Sequence, residues 1–143
     1  MTRATCNANY RTADIEVRGG TLHTAIWGPE DPHVPTILAV HGVTASHKAW
    51  PYLAEAMPGV RIIAPDLRGR GRSNALPAPY GMPSHAEDLA AVLAALAAGP
   101  VVVVGHSMGA FAAVVLANLF PERVRSLVLV DGGRSPDRHF PQP

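Results

Sequence analysis

Four apolar runs constrain this chain more than any other feature: TILAV (36–40), VRIIA (60–64), VVVV (101–104) and LVLV (127–130). A strand with one wet face alternates apolar and polar residues, whereas a strand covered on both faces stays apolar throughout, and these runs follow the second pattern. Helical patterns separate them. The first is expected over Ser46–Met57. The second opens with Ser84 and Glu87 in capping-box spacing, carries Leu89, Val92, Leu93 and Leu96 on one face, and stops at Gly99-Pro100. The third, Met108–Phe120, is apolar nearly all round, as suits an enclosed helix. Strand alternating with helix predicts an α/β fold built on a mainly parallel sheet. Ahead of it, Asp14–Arg18 and Thr21–Trp27 flank Gly19-Gly20, a tight-turn signal that predicts an antiparallel leading hairpin. Residues 28–35, GPEDPHVP, form a surface loop; residues 1–12 are expected to be a flexible N-terminal arm, and residues 13–143 one core domain.

Composition narrows the function. With 12 basic and 11 acidic side chains the net charge is +1, which gives no field suited to nucleic acid or to an anionic membrane surface. No stretch approaches the roughly 18 apolar residues of a membrane span, so neither a nucleic-acid nor a membrane partner is expected. Cys6 is the only cysteine, which rules out an intrachain disulfide and suits a cytoplasmic protein. Gly69-Arg70-Gly71 begins like a dinucleotide fingerprint, yet no third glycine follows at the required spacing, and no nucleotide cofactor is expected. No His, Cys, Asp or Glu grouping has metal-ligand spacing, so no metal site is expected either. Arg68, Arg70 and Arg72 read as packing within a glycine-rich turn. His23, His33, His47, His85 and His139 read as solvated or structural, and Trp27 and Trp50 as core or cleft wall.

The stretch VVVVGHSMGA (101–110) is where chemistry is expected. In an open parallel sheet, ligands bind outside the carboxyl ends of the strands, and the turn after Val104 lies there. Ser107 occupies that turn, flanked by Gly105 and Gly109 at positions −2 and +2, where the backbone has to bend sharply. A helix starting at once behind it aims its free amides and dipole at whatever the serine attacks. His106 adjoins Ser107, but neighbours on a tight turn point to different sides, so it is not read as the base.

Three motifs in order, HGV (41–43), APDLRGRGRS (64–73) and GHSMGA (105–110), resemble the N-terminal half of the α/β-hydrolase fold family, with LVLVDGG closing the sixth strand. The resemblance implies a cofactor-free serine hydrolase, of the carboxylesterase kind, acting on a small acyl substrate. Ser107 would be the nucleophile, and the backbone N–H groups of Val43 and Met108 the oxyanion hole. His41 and Gly42 would shape that loop, with His106 beside the nucleophile. Serine at the elbow also separates the chain from the family's epoxide hydrolases and haloalkane dehalogenases, whose elbow carries aspartate. The family places its acid and then its histidine further along the chain. Asp131, after the sixth strand, matches a position some members use for the acid, and no residue matches the histidine. The chain is therefore expected to be a core truncated after the sixth strand, with that strand's flank uncovered. It would then form a homo-oligomer or associate with a missing C-terminal half. The alternative is an inert half-fold or binding module that keeps the elbow without its base.

Overall fold

The computed structural model describes residues 10–134. The sheet has six strands: β1 (Arg11–Val17), β2 (Gly20–Trp27), β3 (Thr36–Val40), β4 (Arg61–Pro65), β5 (Val101–His106) and β6 (Val124–Val130), in the spatial order β1-β2-β4-β3-β5-β6. β1 and β2 form the predicted antiparallel hairpin, β2 runs antiparallel to β4, and β3 pairs in parallel with both β4 and β5, as β5 does with β6. The helices are α1 (Pro51–Ala56), α2 (Met82–Ala95) and α3 (Met108–Leu119).

The runs of β3 and β4 are buried on both faces, as their composition requires, and that of β5 is buried on one face and half-buried on the other; the run of β6, expected to be covered on both faces, is largely exposed, because among the described residues β6 is the last strand of the sheet. Leu38 and Val40 of β3, Ile63 of β4 and Val103 of β5 face the core beneath α2 and α3. The residues between them, Ile37, Ala39, Ile62 and Ala64, face a second core with Trp27, Trp50 and α1. Chain order reverses direction at β3, because β4 lies on one side of it and β5 on the other. The carboxyl ends of β3 and β5 are thus a topological switch point, the place where open α/β sheets bind ligands.

Several boundaries differ from expectation. The first helix is split: Ser46 caps a short 3-10 turn, His47–Ala49, by accepting the Lys48 N–H, and α1 begins only at Pro51, whose missing N–H suits a first helical position. The capping box does not form. Pro83 sits in the first turn of α2, the helix starts at Met82 behind Gly81, and Ser84 lies inside it, buried, where its hydroxyl accepts from Arg18. β1 reaches back to Arg11, so residues 11 and 12 of the expected arm are strand, while residues 1–9 lie outside the described residues. Cys6 and His139 lie outside them too.

Arg68 is a buried tie among the loops around β4. Its guanidinium binds Asp88 of α2 through two nitrogens at 2.8 and 2.9 Å, and donates to the carbonyls of Pro77 and Arg18. Both side chains are nearly inaccessible, so the charges are paired where water cannot screen them. Beyond β5 the covering thins. Val128, Leu129 and Val130 of β6 are 47%, 37% and 44% exposed, and a groove of about 740 Å³ runs along the α1 face between Ile37, Leu53, Met57, Val102 and Val128.

Removing one member of a buried ion pair strands the other, at a cost of about 3–5 kcal/mol. Arg68→Ala is accordingly expected to lower the urea midpoint by an amount equivalent to that range, with the denaturant slope unchanged; a loss below about 1 kcal/mol would mean that the pair carries little of the fold.

Candidate active site

Strand register sets which residues meet at the carboxyl ends of β3 and β5. Val40 of β3 lies opposite Gly105 of β5, so two residues further along these parallel strands Gly42 comes beside Ser107. A Cβ placed on Gly42 would lie 3.3 Å from the Ser107 Cβ and 3.4 Å from His106 Nδ1. Ser107 has φ 57° and ψ −119°, a conformation that costs a non-glycine residue on the order of 1–3 kcal/mol. The surroundings impose it. Its N–H donates to the carbonyl of Val130 at 2.9 Å, and its carbonyl accepts from Ala110 at 2.9 Å.

Two glycines let α3 start so abruptly. A Cβ on Gly105 would stand 2.5 Å from the Gly109 carbonyl oxygen and 2.7 Å from the Ala110 Cα. One on Gly109 would stand 2.5 Å from the His41 carbonyl oxygen and closer still to that of Val40. Met108 is the first residue of α3, and its N–H is among those a helix leaves without an internal partner.

Facing the elbow is the loop after β3. His41 is fully buried, and its Nε2 accepts the Leu67 N–H at 2.9 Å. That nitrogen is therefore unprotonated, so Nδ1 carries the hydrogen and donates to the Gly42 carbonyl at 2.6 Å. Burial lowers the His41 pKa, against opposing contributions from the Gly42 bond and Asp66. Ala45 N–H donates to the same Gly42 carbonyl. In a trans peptide the C=O and N–H point in opposite directions, so fixing the Gly42 carbonyl on His41 turns the Val43 N–H away from the ring. The Arg70 Nε donates to the carbonyl of Val43, which is half exposed. The three arginines thus hold their own turn: Arg68 through Asp88, Arg70 through Val43 and Arg68 carbonyls, and Arg72 through its N–H on Asp66.

The structure brings Ser107, Met108, Gly42, Val43 and His106 together, with His41 behind the loop. His106 is exposed. Asp131 is exposed at the end of β6, next to Val130, which bonds the elbow, and has φ 55°. Both His41 nitrogens are engaged away from the serine. No hydrogen bond among the described residues joins the Ser107 hydroxyl to a histidine.

Sequence spacing hid two features. His47 and Asp66, 19 residues apart, form a buried pair at 2.8 Å, and His23 of β2 lies beside them. Burial would raise the Asp66 carboxyl, but bonds from the His47 ring and the Arg72 and His47 N–H groups outweigh it and hold it at about 2. His85, expected to be solvated or structural, is fully buried in α2 with neither ring nitrogen bonded within the described residues. Burial first, and then the charge of Arg70, push its pKa down to about 4.

A profile of the α/β hydrolase fold family matches residues 35–142, and the chain belongs to that family. It is 44% identical over 110 residues to lipase LipV of Mycobacterium tuberculosis, covering 77% of this chain and 41% of that protein. It is 38% identical over 121 residues to a putative carbamate hydrolase RutD of Variovorax paradoxus, covering 82% of the chain and 45% of the relative. Among solved structures it is similar to the thioesterase domain from the curacin biosynthetic pathway, with a TM-score of 0.79 and 29% identity over 94% of this chain and 51% of that one. The chain spans less than half the length of these curated relatives. Among the described residues, no helix is long and apolar enough to cross a membrane.

Two outcomes follow. Gly109→Ala forces a methyl into the backbone of β3 and is expected to destabilise the fold by about 1–3 kcal/mol in urea unfolding. His85 binds its proton less readily folded than unfolded, so the unfolded state takes up more protons between about pH 6.5 and 4, and stability falls as pH drops through that window. His85→Leu should flatten the decline, as read from unfolding midpoints at pH 7 and 4.5; an unchanged slope would show that His85 contributes nothing to it.

Proposed function

We propose that this protein is a serine hydrolase that cleaves a carboxylic ester or related acyl compound through a Ser107 acyl-enzyme. The observation that carries this reading is the strained serine at a topological switch point of the sheet, with the N-terminus of α3 on one side and the loop of Gly42 on the other. In the proposed reaction, the Ser107 oxygen attacks the substrate carbonyl carbon and its proton passes to a general base. The tetrahedral oxygen that gains negative charge is held by the N–H groups of Val43 and Met108. Collapse expels the alcohol with that proton, and water then releases the acid and regenerates the serine.

Within this reading His41 is a positioning residue. Its ring keeps the Gly42 carbonyl turned inward, which is what leaves the Val43 N–H for the oxyanion. Asp131 is a weak candidate for the acid, on its position after β6 alone, against a structural aspartate in that turn; otherwise the acid, like the base, would come from outside the described residues. Relatives named as a lipase and as hydrolases of a carbamate and of 2-(acetamidomethylene)succinate support a small-molecule acyl substrate. A cytoplasmic setting, argued from the single cysteine, belongs to the same proposal. The second reading, an inert half-fold or binding module, is favoured by the lack of any described histidine bonded to Ser107.

A fluorophosphonate probe separates the two. Labelling on the peptide containing Ser107, absent in Ser107→Ala, supports the hydrolase; a folded chain that takes up no label supports the inert module. His41→Ala should slow labelling by about 10²–10³-fold, the range for loss of one oxyanion donor.

A further inference from the structure

Away from Ser107, three elements bring three metal-ligating side chains together: His23 on β2, His47 in the turn before α1, and Asp66 just after β4. Each presents one ring nitrogen or carboxylate oxygen, and these atoms lie within 4.8 Å of one another. We propose that His23, His47 and Asp66 form a binding site for a divalent transition-metal ion of the zinc type.

The donor chemistry selects that class. Two imidazoles and a carboxylate suit zinc and its neighbours, whereas calcium and magnesium take oxygen ligands. The hydrogen bonds show which lone pairs are available. Asp66 Oδ1 accepts the His47 N–H at 2.6 Å and the His47 Nδ1 at 2.8 Å. Without metal, Nδ1 carries the hydrogen of that bond. An ion in the place of this hydrogen would meet His47 Nδ1 and an Asp66 oxygen together, with the ring proton moved to Nε2, a buried atom with no hydrogen-bond partner among the described residues. Among the described residues Asp66 Oδ2 accepts only the Arg72 N–H, at 2.9 Å, and has a second lone pair to give. His23 Nδ1 stands 3.5 Å from Asp14 Oδ1, and a carboxylate outside the ligand set, placed in this way, fixes the tautomer and orientation of a metal-binding histidine.

Binding asks for a modest closure. Two ligand atoms of a tetrahedral zinc, each about 2.0–2.2 Å from it, lie about 3.3–3.6 Å apart, so a pair as wide as 4.8 Å has to close by about 1.2–1.5 Å. His23, whose side chain is 14% exposed, can swing by that much and gives an ion its way in. The bound ion would fasten β2 and β4 to the segment that follows Val43, so it would stabilise the folded chain whether or not Ser107 is a nucleophile.

The test is direct. The untagged chain is stripped with a chelator and titrated calorimetrically with zinc, with bound metal counted by elemental mass spectrometry and cobalt used as an optical probe of the ligands. One equivalent of zinc, a raised melting temperature and a tetrahedral cobalt spectrum are expected. His23→Ala should weaken binding by at least about tenfold. Its metal-free melting temperature should stay near that of the parent, with His23→Gln as the replacement if the alanine variant does not fold. His33→Ala, on an exposed loop, and Cys6→Ser should leave uptake unchanged. Absence of saturable uptake, uptake that survives His23→Ala, or loss of uptake in either control would overturn the site.

Discussion

The closeness of α3 to the ends of β3 and β5 is the constraint on which the rest of the structure depends. Gly109 lets the helix backbone lie against the carbonyls of Val40 and His41, and Gly105 lets the same turn lie under Ala110. With any side chain at either position the helix would start further from the sheet, and Ser107 would lose the geometry that makes it adopt φ 57°. Strain at one residue is tolerated because backbone hydrogen bonds on both sides of it, to Val130 and from Ala110, cannot be made otherwise.

Around this elbow the loops are irregular in backbone yet held by buried polar side chains. Arg68 gathers Asp88, Pro77 and Arg18, while Asp66 gathers the start of the turn before α1 and the N–H of Arg72. His41 joins the two loop systems, bonding Leu67 with one nitrogen and Gly42 with the other. Such groups are costly to bury unless each finds a partner, so each loop conformation is specified by what it satisfies. The loop facing the serine is therefore set by side chains that do not themselves reach the serine.

Much of this was legible in the sequence where the information is local. Double burial of β3 and β4 shows in TILAV and VRIIA, while the equally apolar LVLV of β6 is exposed, and the elbow shows in two glycines at fixed distance from a serine between a strand and a helix. The Gly19-Gly20 hairpin is equally local. Ser84 misled because its hydroxyl met Arg18, a partner 66 positions away, and Pro83 then suited a helix that starts earlier. Partner choice of that kind leaves no trace in spacing. His23, His47 and Asp66 come together only because β2 pairs with β4 and the loop after β3 folds back over both, so no linear motif announces them. The burial of His85 is similarly a property of how α2 docks. Membership of the α/β hydrolase fold family carries the order of the motifs, and the contacts among them come from the packing.

The bond from the Ser107 N–H to Val130 links the strained backbone of the elbow to a sparsely covered strand of the sheet. Segments with few buried apolar contacts open at a lower free energy than the core. As β6 frays, the serine loses a restraint and its torsion relaxes toward ordinary values while the two cores stay intact. Whatever packs along β6 therefore also holds the torsion of Ser107 in place.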